Sequence, residues 1–204
     1  MDVSSPSEPE GRTRVEARAD DGRLLSVAHF GPDGALDGEF VAYAADGAPQ
    51  IRMLYRAGLP DGPAVILRDG RPQTEMAYVA GKLDGPMRGY DPAGRLLSVV
   101  RYQAGRKHGL TECFAAGGAL LLSAEYRDDR RNGMTVEYRP DGTVRRRAAY
   151  VNDLPDGETI EFHPGGRPAE RTLFKAGIAV EGPQSFADPE APGRTSLLAR
   201  LRGK

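Results

Sequence analysis

The chain has 204 residues, of which 26 are glycine and 16 are proline, and its formal net charge is −1. An apolar content of 39% without tryptophan argues against a thick globular core, and this much glycine and proline breaks long helices and favours short strands joined by turns. The near-zero charge gives no sign of a general affinity for nucleic acids, and the single cysteine excludes an intramolecular disulfide.

Residues 1–11 are rich in serine, proline and glutamate and show no hydrophobic periodicity, which predicts a disordered lead. This stretch contains neither a basic nor an apolar segment, so it does not look like a secretion signal. No apolar run in the chain approaches the length that crosses a membrane. Together with the lone Cys113, these features predict a cytoplasmic protein.

A repeat of 23 to 25 residues fills most of the chain, after a degenerate first unit at residues 12–37. The opening glycines of the regular units are Gly38, Gly62, Gly85, Gly109, Gly133, Gly157 and Gly182. The first six of these units and the degenerate unit each have a turn glycine, and eight positions after it stands an aromatic residue: Phe30 in the degenerate unit, then Tyr55, Tyr78, Tyr102, Tyr126, Tyr150 and Phe174. Opening glycines, turn glycines and aromatic residues that recur at fixed spacing from one another are typical of a repeat architecture.

Each unit is predicted to be a β-hairpin, as residues 133–156 illustrate. Thr135, Val136 and Tyr138 favour a strand, and the following Arg-Pro-Asp-Gly favours a turn in which Gly142 takes a positive φ. Two short strands and two turns use up the period and leave no room for a helix. The predicted fold is therefore all-β, an elongated single-sheet solenoid of tandem antiparallel hairpins over residues 12–187.

Side chains alternate across a strand, so the closing aromatic of each unit shares a face with the residues two and four before it. In the second strands this row includes Met53, Val100, Ala124 and Ala148. We expect the first strands to add Val41, Val65, Val136 and Ile160 to the same face, which would be buried together with the aromatics. The opposite face differs from unit to unit and is expected to be exposed.

The pattern decays after Gly182, and residues 188–204 are predicted to be a linker followed by a short basic tail. The tail combines leucines at helical spacing with basic residues: Leu197, Leu198 and Leu201 with Arg200, Arg202 and Lys204. Two interpretations remain open. The tail is either a cap over the last hairpin or a segment that binds a partner or a membrane surface.

The spacing D-G-x4-Y-x3-G-x7-Y-x2-G, nearly intact at residues 84–105, resembles the bacterial MORN-repeat variant family. The resemblance covers residues 22–186 and implies tandem hairpins in one twisted antiparallel sheet. It also implies a scaffold, a protein-binding platform or an accessory module beside an enzyme, with antitoxin-like members and proposed lipid binding. The chain departs from the family where Val41, Val65 and Arg88 replace the aromatic residue usual after the opening glycine.

No arrangement of residues typical of catalysis or metal binding stands out, which predicts a protein that is not an enzyme and holds no cofactor or metal. Cys113 with His108 as its base is the one nucleophilic pair to weigh, but a free cysteine in a strand is commonly a small buried side chain. His29, His108 and His163 occupy unrelated positions in different units, without metal-ligand spacing.

Arginines cluster at one place, as Arg127, Arg130 and Arg131 near an inter-unit turn and Arg145, Arg146 and Arg147 on the next strand. Such a patch suits an acidic protein first, anionic headgroups second and nucleic acid last, because aromatic residues are not interleaved with it for base stacking. Arg146 falls on the apolar row, where its stem must lie along the sheet so that its charge reaches solvent.

The sequence thus predicts a non-enzymatic scaffold that docks another protein, acidic in character, on the variable face or an open sheet edge. An antitoxin- or immunity-like role is the narrower form that the family resemblance implies. The predicted contact residues are Arg52, Glu75, Arg101, Glu125, Arg145, Arg147 and Arg171. The alternatives are a homo-oligomer formed through sheet edges, a peripheral module on anionic membranes and an accessory module of an enzyme.

Overall fold

The structure is a computed structural model that describes residues 11–188, and in them the chain forms one open antiparallel sheet, as predicted. The strands are β1 (Thr13–Arg18), β2 (Leu24–Phe30), β3 (Leu36–Tyr43), β4 (Pro49–Arg56), β5 (Leu59–Arg68), β6 (Arg71–Val79), β7 (Lys82–Leu83), β8 (Gly85–Tyr90), β9 (Leu96–Gln103), β10 (Arg106–Phe114), β11 (Leu120–Arg127), β12 (Arg130–Tyr138), β13 (Val144–Val151), β14 (Leu154–Phe162), β15 (Pro168–Lys175) and β16 (Ile178–Ser185). Strand order follows chain order, and β7 and β8 both pair with β6.

The expected basic tail lies outside the described residues, and so does the expected lead up to residue 10. Ser185 ends β16, and the Phe186 N–H still donates to the Ala169 carbonyl oxygen at 2.8 Å. Within residues 11–188 there is no helix long and apolar enough to cross a membrane.

The turns inside the hairpins form as the sequence predicts. Between β12 and β13, the Arg139 N–H donates to the Thr143 carbonyl oxygen at 2.8 Å, and Gly142 has a φ of 83°. The Asp141 Oδ1 atom accepts hydrogen bonds from the Thr143 N–H at 2.9 Å and the Thr143 hydroxyl at 2.6 Å. The carboxylate therefore closes the turn from within.

The turns between hairpins connect each unit to the one before it. Asp128 and Asp129 both have positive φ, which aspartate tolerates better than most residues. The Asp129 Oδ1 atom accepts a hydrogen bond from the Lys107 N–H at 2.8 Å, and Asp153 accepts one from the Arg131 N–H at 2.9 Å. Each bond joins residues 22 positions apart, so these aspartates tie successive units together.

The opening glycines mark places where the strand pairing is irregular. Between β4 and β5, Met53 pairs with Ala64 and Tyr55 with Pro60, so residues 61–63 lie opposite Leu54 alone. Gly62 in this bulge has a φ of 120°, and a Cβ atom there would lie 3.1 Å from the Leu54 Cδ1 atom. Both the backbone conformation and the close approach favour glycine.

Register between strands divides the side chains into two faces, because directly opposite residues share a face. The valine face has a central row of Val27, Val41, Arg52, Val65, Glu75, Arg88, Val99, Glu112, Ser123, Val136, Arg147, Ile160 and Arg171. The tyrosine face holds the closing aromatics and a central row of Ala28, Phe40, Met53, Ala64, Met76, then Met87, Val100, Thr111, Ala124, Thr135, Ala148, Thr159 and Thr172.

The prediction that Val41, Val65, Val136 and Ile160 share a face with the closing aromatics is wrong. Alternation within a strand is correct, but the faces of two strands are related by the turn and bulge between them. In the β3–β4 hairpin, a five-residue turn and a bulge after Ala42 place Val41 opposite Arg52. The valines therefore lie among the charged residues of the face expected to vary.

Burial is shallow because no second layer packs on the sheet within residues 11–188. The buried side chains are mostly small and central: alanines and threonines on the tyrosine face, and Val27, Val41, Val99 and Ile160 on the valine face. Tyr150 is 6% exposed, whereas the other closing aromatics are half-buried, so the expectation of uniformly buried aromatics is wrong. With only neighbouring strands to cover them, their ring edges reach solvent.

Candidate functional site

A depression of about 520 Å³ lies on the valine face where β3 to β8 run side by side. Its apolar lining includes Leu54, Pro63, Ala77 and Pro86, which stand on four successive strands of the main pairing order. Pro63 pairs directly with Ala77, and Leu54 is 38% exposed.

Charged residues border this floor along the neighbouring row. Arg52, Glu75 and Arg88 all line the depression, and Val65 separates the first of them from the other two. Glu75 pairs with Arg88 across β6 and β8. Glu39 lines the β3 end, opposite Leu54.

The charged side chains at this border differ in whether they form hydrogen bonds or ion pairs. The Tyr90 hydroxyl donates a hydrogen bond to the Glu75 Oε2 atom at 2.6 Å, and this bond, followed by burial, raises the pKa of Tyr90 above its ordinary value. Arg52 and Arg88 make no hydrogen bond or ion pair with any other residue in the part of the chain that the structure describes. Two guanidinium groups are thus available to a ligand beside the apolar floor, next to the carboxylates of Glu39 and Glu75.

The seven contact residues predicted from the sequence all stand on the valine face, by pairing or by strand parity. They extend from β4 to β15, about 48 Å at about 4.8 Å per strand. The depression brings together only Arg52 and Glu75. The others are distributed along the sheet and do not form one cluster.

Several of the predicted contact residues form hydrogen bonds or ion pairs with other residues of the sheet. Arg101 donates to the Leu110 carbonyl oxygen at 2.9 Å and lies 3.3 Å from Glu112, and Arg171 lies 2.7 Å from Glu158. Arg145 forms an ion pair with Glu137. Arg147 and Glu125 have no hydrogen bond or ion pair within residues 11–188.

The arginine cluster is partly neutralised by its own surroundings. The Arg131 guanidinium lies 4.0 Å from the Tyr150 ring centroid, and its Nε atom is 3.4 Å from Asp153. Arg146 pairs with Glu137 at 3.3 Å and is partly exposed, as its position on the apolar row requires. The charges of Arg131 and Arg146 are therefore both paired with residues of the same sheet.

The sequence shows no aromatic residues interleaved with this cluster for base stacking, and the structure places two rings near it whose faces are covered by cations. The register brings Lys107 to within 5.4 Å of the Tyr126 ring centroid and Arg131 over Tyr150, so that cations and rings alternate on the tyrosine face. These residues are far apart in sequence, and only strand pairing makes the alternation visible. The cations occupy ring faces that base stacking would need.

The one nucleophilic pair weighed from the sequence is not assembled. His108 and Cys113 lie five residues apart on β10, a separation of about 16 Å along an extended strand. His163 instead contacts the Phe186 carbonyl oxygen, with its Nε2 atom at 2.9 Å. Among the described residues, no group of three or more histidine, cysteine or acidic side chains is placed to hold a metal ion.

The apolar lining and Arg88 were missed by sequence reasoning. Arg88 was noted only as a departure at an aromatic position, and Pro63 and Pro86 only follow opening glycines. A Gly-Pro pair opens two adjacent units at residues 62–63 and 85–86 and recurs at an opening glycine only at residues 182–183, so it is a signal that could have marked those units as different. In comparisons with known proteins, no family model matches the chain, and no curated protein matches it either.

Proposed function

We propose that this chain is a non-enzymatic binding protein that docks another protein in the depression on the valine face. The observation that supports the proposal is an exposed apolar floor whose border carries Arg52 and Arg88, neither of which forms an ion pair within residues 11–188, beside Glu39 and Glu75. Apolar cores with polar borders are typical of protein interfaces, and arginine is enriched in them.

The chemistry of the depression limits what kind of segment fits. Leu54, Pro63, Ala77 and Pro86 accept an apolar side chain, and Arg52 and Arg88 favour carboxylates on either side of it. A loop or extended segment carrying an apolar residue between acidic ones meets both requirements. An acidic partner is therefore the best match, and an antitoxin- or immunity-like role is the narrower form suggested by the family resemblance alone.

Selection of phage-displayed random peptides on the full chain tests this proposal. We expect the enriched peptides to carry an apolar residue flanked by aspartate or glutamate. Leu54→Glu should remove their binding, because the new carboxylate fills the floor and repels the acidic flanks. Met134→Glu is the matched control, since Met134 is 36% exposed on the same face in another unit.

Two results would contradict the proposal. One is the absence of any common chemistry among the selected peptides. The other is equal loss of binding in the Leu54→Glu and Met134→Glu chains, which would place the contact outside the depression.

A further inference from the structure

The first strand of the sheet has one unpaired edge in the part of the chain that the structure describes. β1 pairs with β2, and no other strand of residues 11–188 pairs with its second edge. All six residues of β1 are exposed, and Val15 is 45% exposed. The backbone N–H and C=O groups that point away from β2 can therefore pair with a further strand.

The opposite edge of the sheet, β16, is less suited to accept a strand. Pro183 in β16 has no N–H group to donate, and two register shifts interrupt the pairing of β16 with β15. β1 contains no proline, and its residues 13–17 pair with β2 without interruption. β1 is thus the more regular of the two edges.

Charged residues of opposite sign alternate along one side of β1. Arg14 and Glu16 lie on the valine face, because Glu16 stands opposite Val27, and Val15 between them lies on the tyrosine face. The Arg14 Nη1 atom lies 2.6 Å from the Glu16 Oε1 atom, and the Arg18 Nη2 atom lies 2.6 Å from the Glu16 Oε2 atom. The edge therefore presents guanidinium and carboxylate groups in a fixed order.

This order is complementary to itself in one antiparallel register. When Val15 lies opposite Val15 of a second copy across a two-fold axis, Arg14 of each copy lies opposite Glu16 of the other, and Thr13 lies opposite Ala17. Opposite charges directly across a strand pair stabilise it, and like charges destabilise it. An axis at Arg14 or at Glu16 would instead set that residue opposite the same residue of the other copy, so that like charges meet.

The register centred on Val15 pairs five of the six residues of β1 and leaves one like-charged pair at its ends. There Arg18 lies opposite Arg12 of the second copy. Each of these arginines already has an acidic partner in its own chain, since the Arg12 Nη2 atom lies 2.8 Å from the Asp37 Oδ1 atom and Arg18 pairs with Glu16.

The directions of the strands favour a two-fold axis. Neighbouring strands are antiparallel, and the main pairing order from β1 to β16 contains fifteen strands, so the two edge strands run in the same direction. Head-to-tail stacking of copies would join β16 to β1 as a parallel pair, which is slightly less stable. A two-fold axis joins β1 to β1 as an antiparallel pair, like the pairs within the sheet.

We propose that β1 of one copy pairs with β1 of a second copy, antiparallel and centred on Val15, so that two sheets join into one. The contact consists of backbone hydrogen bonds, a valine pair on the tyrosine face and two arginine–glutamate pairs on the valine face. Because it uses one short strand from each copy, the association is weak and depends on concentration. The depression begins at β3 and stays open in both copies. The inference thus goes beyond the docking proposal and does not depend on it.

Sedimentation equilibrium of the full chain tests the inference. We expect the mass to rise with concentration from the 22.0 kDa of one chain toward twice that value. Arg14→Glu or Glu16→Arg alone sets like charges opposite each other twice in the contact, and should weaken the association about tenfold. An equimolar mixture of the two variants should restore it, because one chain then presents carboxylates and the other guanidinium groups at the paired positions. The chain that carries both changes should associate like the wild type.

Leu54→Glu is the control, because it alters the depression without touching β1 and should leave the association unchanged. Circular dichroism checks that each variant is folded. The inference is overturned if the wild-type chain keeps the mass of one chain throughout, or if the single variants associate as the wild type does. It is also overturned if their mixture fails to associate, or if Leu54→Glu removes the association, which would place the contact at the depression. Failure of peptide selection would instead count only against the docking proposal.

Discussion

Tyr150 is the closing aromatic that the sheet buries most deeply, and the Arg131 guanidinium covers its ring. Truncation to Ala removes this packing and should lower the free energy of unfolding by about 3 kcal/mol. Tyr102→Ala should cost less, because Tyr102 is only half-buried. Urea denaturation followed by circular dichroism measures both, with Arg52→Ala as an exposed control expected below about 0.5 kcal/mol. Equal losses in the two tyrosine variants would contradict this burial pattern.

Thr135 illustrates a different residue-scale effect on the same face. It is buried, and its hydroxyl has no hydrogen-bond partner within residues 11–188. Valine keeps the branched shape of threonine and lacks the buried, unpaired hydroxyl. Thr135→Val should therefore leave the free energy of unfolding unchanged or raise it by up to about 1 kcal/mol. Thermal unfolding of the two chains measures the difference. A clear loss of stability would show that the hydroxyl has a partner in solution.

At the scale of the strand, the bulge glycine is the least replaceable feature. Gly62→Ala places a Cβ near Leu54 at a φ of 120°, and we expect a loss of at least about 1–2 kcal/mol. Gly117→Ala is the control, because its Cβ meets nothing within 4 Å and its φ is ordinary. That change should be neutral or stabilising by up to about 1 kcal/mol. Denaturation midpoints of the two variants compare them directly.

The hairpin turns make stability depend on pH. Backbone hydrogen bonding from Arg95, opposed by burial and aided by the Arg95 side chain, holds the pKa of Asp91 below its ordinary value. The folded chain therefore binds fewer protons than the unfolded one, and the stabilisation is complete above the unfolded pKa of about 3.9. It is lost as the pH falls through the folded value.

Asp91→Asn tests this contribution. The wild-type denaturation midpoint should fall on acidification from neutral pH to about pH 3, and the variant should lose less over the same range. Titration of the Asp91 carboxyl carbon by NMR should give a pKa below the ordinary value. A normal pKa together with identical pH profiles would contradict the turn geometry.

At the scale of the whole molecule, each strand of residues 11–188 pairs with its neighbours along the chain, except that β8 pairs with β6 past the two-residue β7. A complete period should therefore be removable, because the flanking units offer the same pairing surfaces. Deletion of residues 109–132 joins His108 to Gly133 and removes 24 residues, the spacing between two opening glycines. We expect a folded sheet with two fewer strands, measured by circular dichroism and amide dispersion.

Deletion of residues 109–120, half a period, is the control for this experiment. It removes one strand of a hairpin, so the next strand would run in the wrong direction to pair. We expect loss of the cooperative fold in this variant. Survival of both deletions to the same extent would mean that the repeat is not the unit of folding.

Local features of this protein were determined by the sequence itself. The period, the strands and the turns follow from glycine, aspartate and aromatic residues that recur at fixed positions in the repeat. Strands and turns depend on the conformational preferences of a few neighbouring residues, so the sequence is sufficient to predict them. Parity along a single strand was also predictable, as Met53 and Tyr55 show by sharing the tyrosine face.

Only the tertiary structure decided which strand faces belong together. A five-residue turn and a one-residue bulge place Val41 opposite Arg52, and no pattern within either strand specifies that pairing. The candidate site depends on the same register, since Leu54, Pro63, Ala77 and Pro86 come from separate strands. A surface built across strands is a property of their alignment, and alignment is set by the whole set of turns and bulges rather than by any one segment.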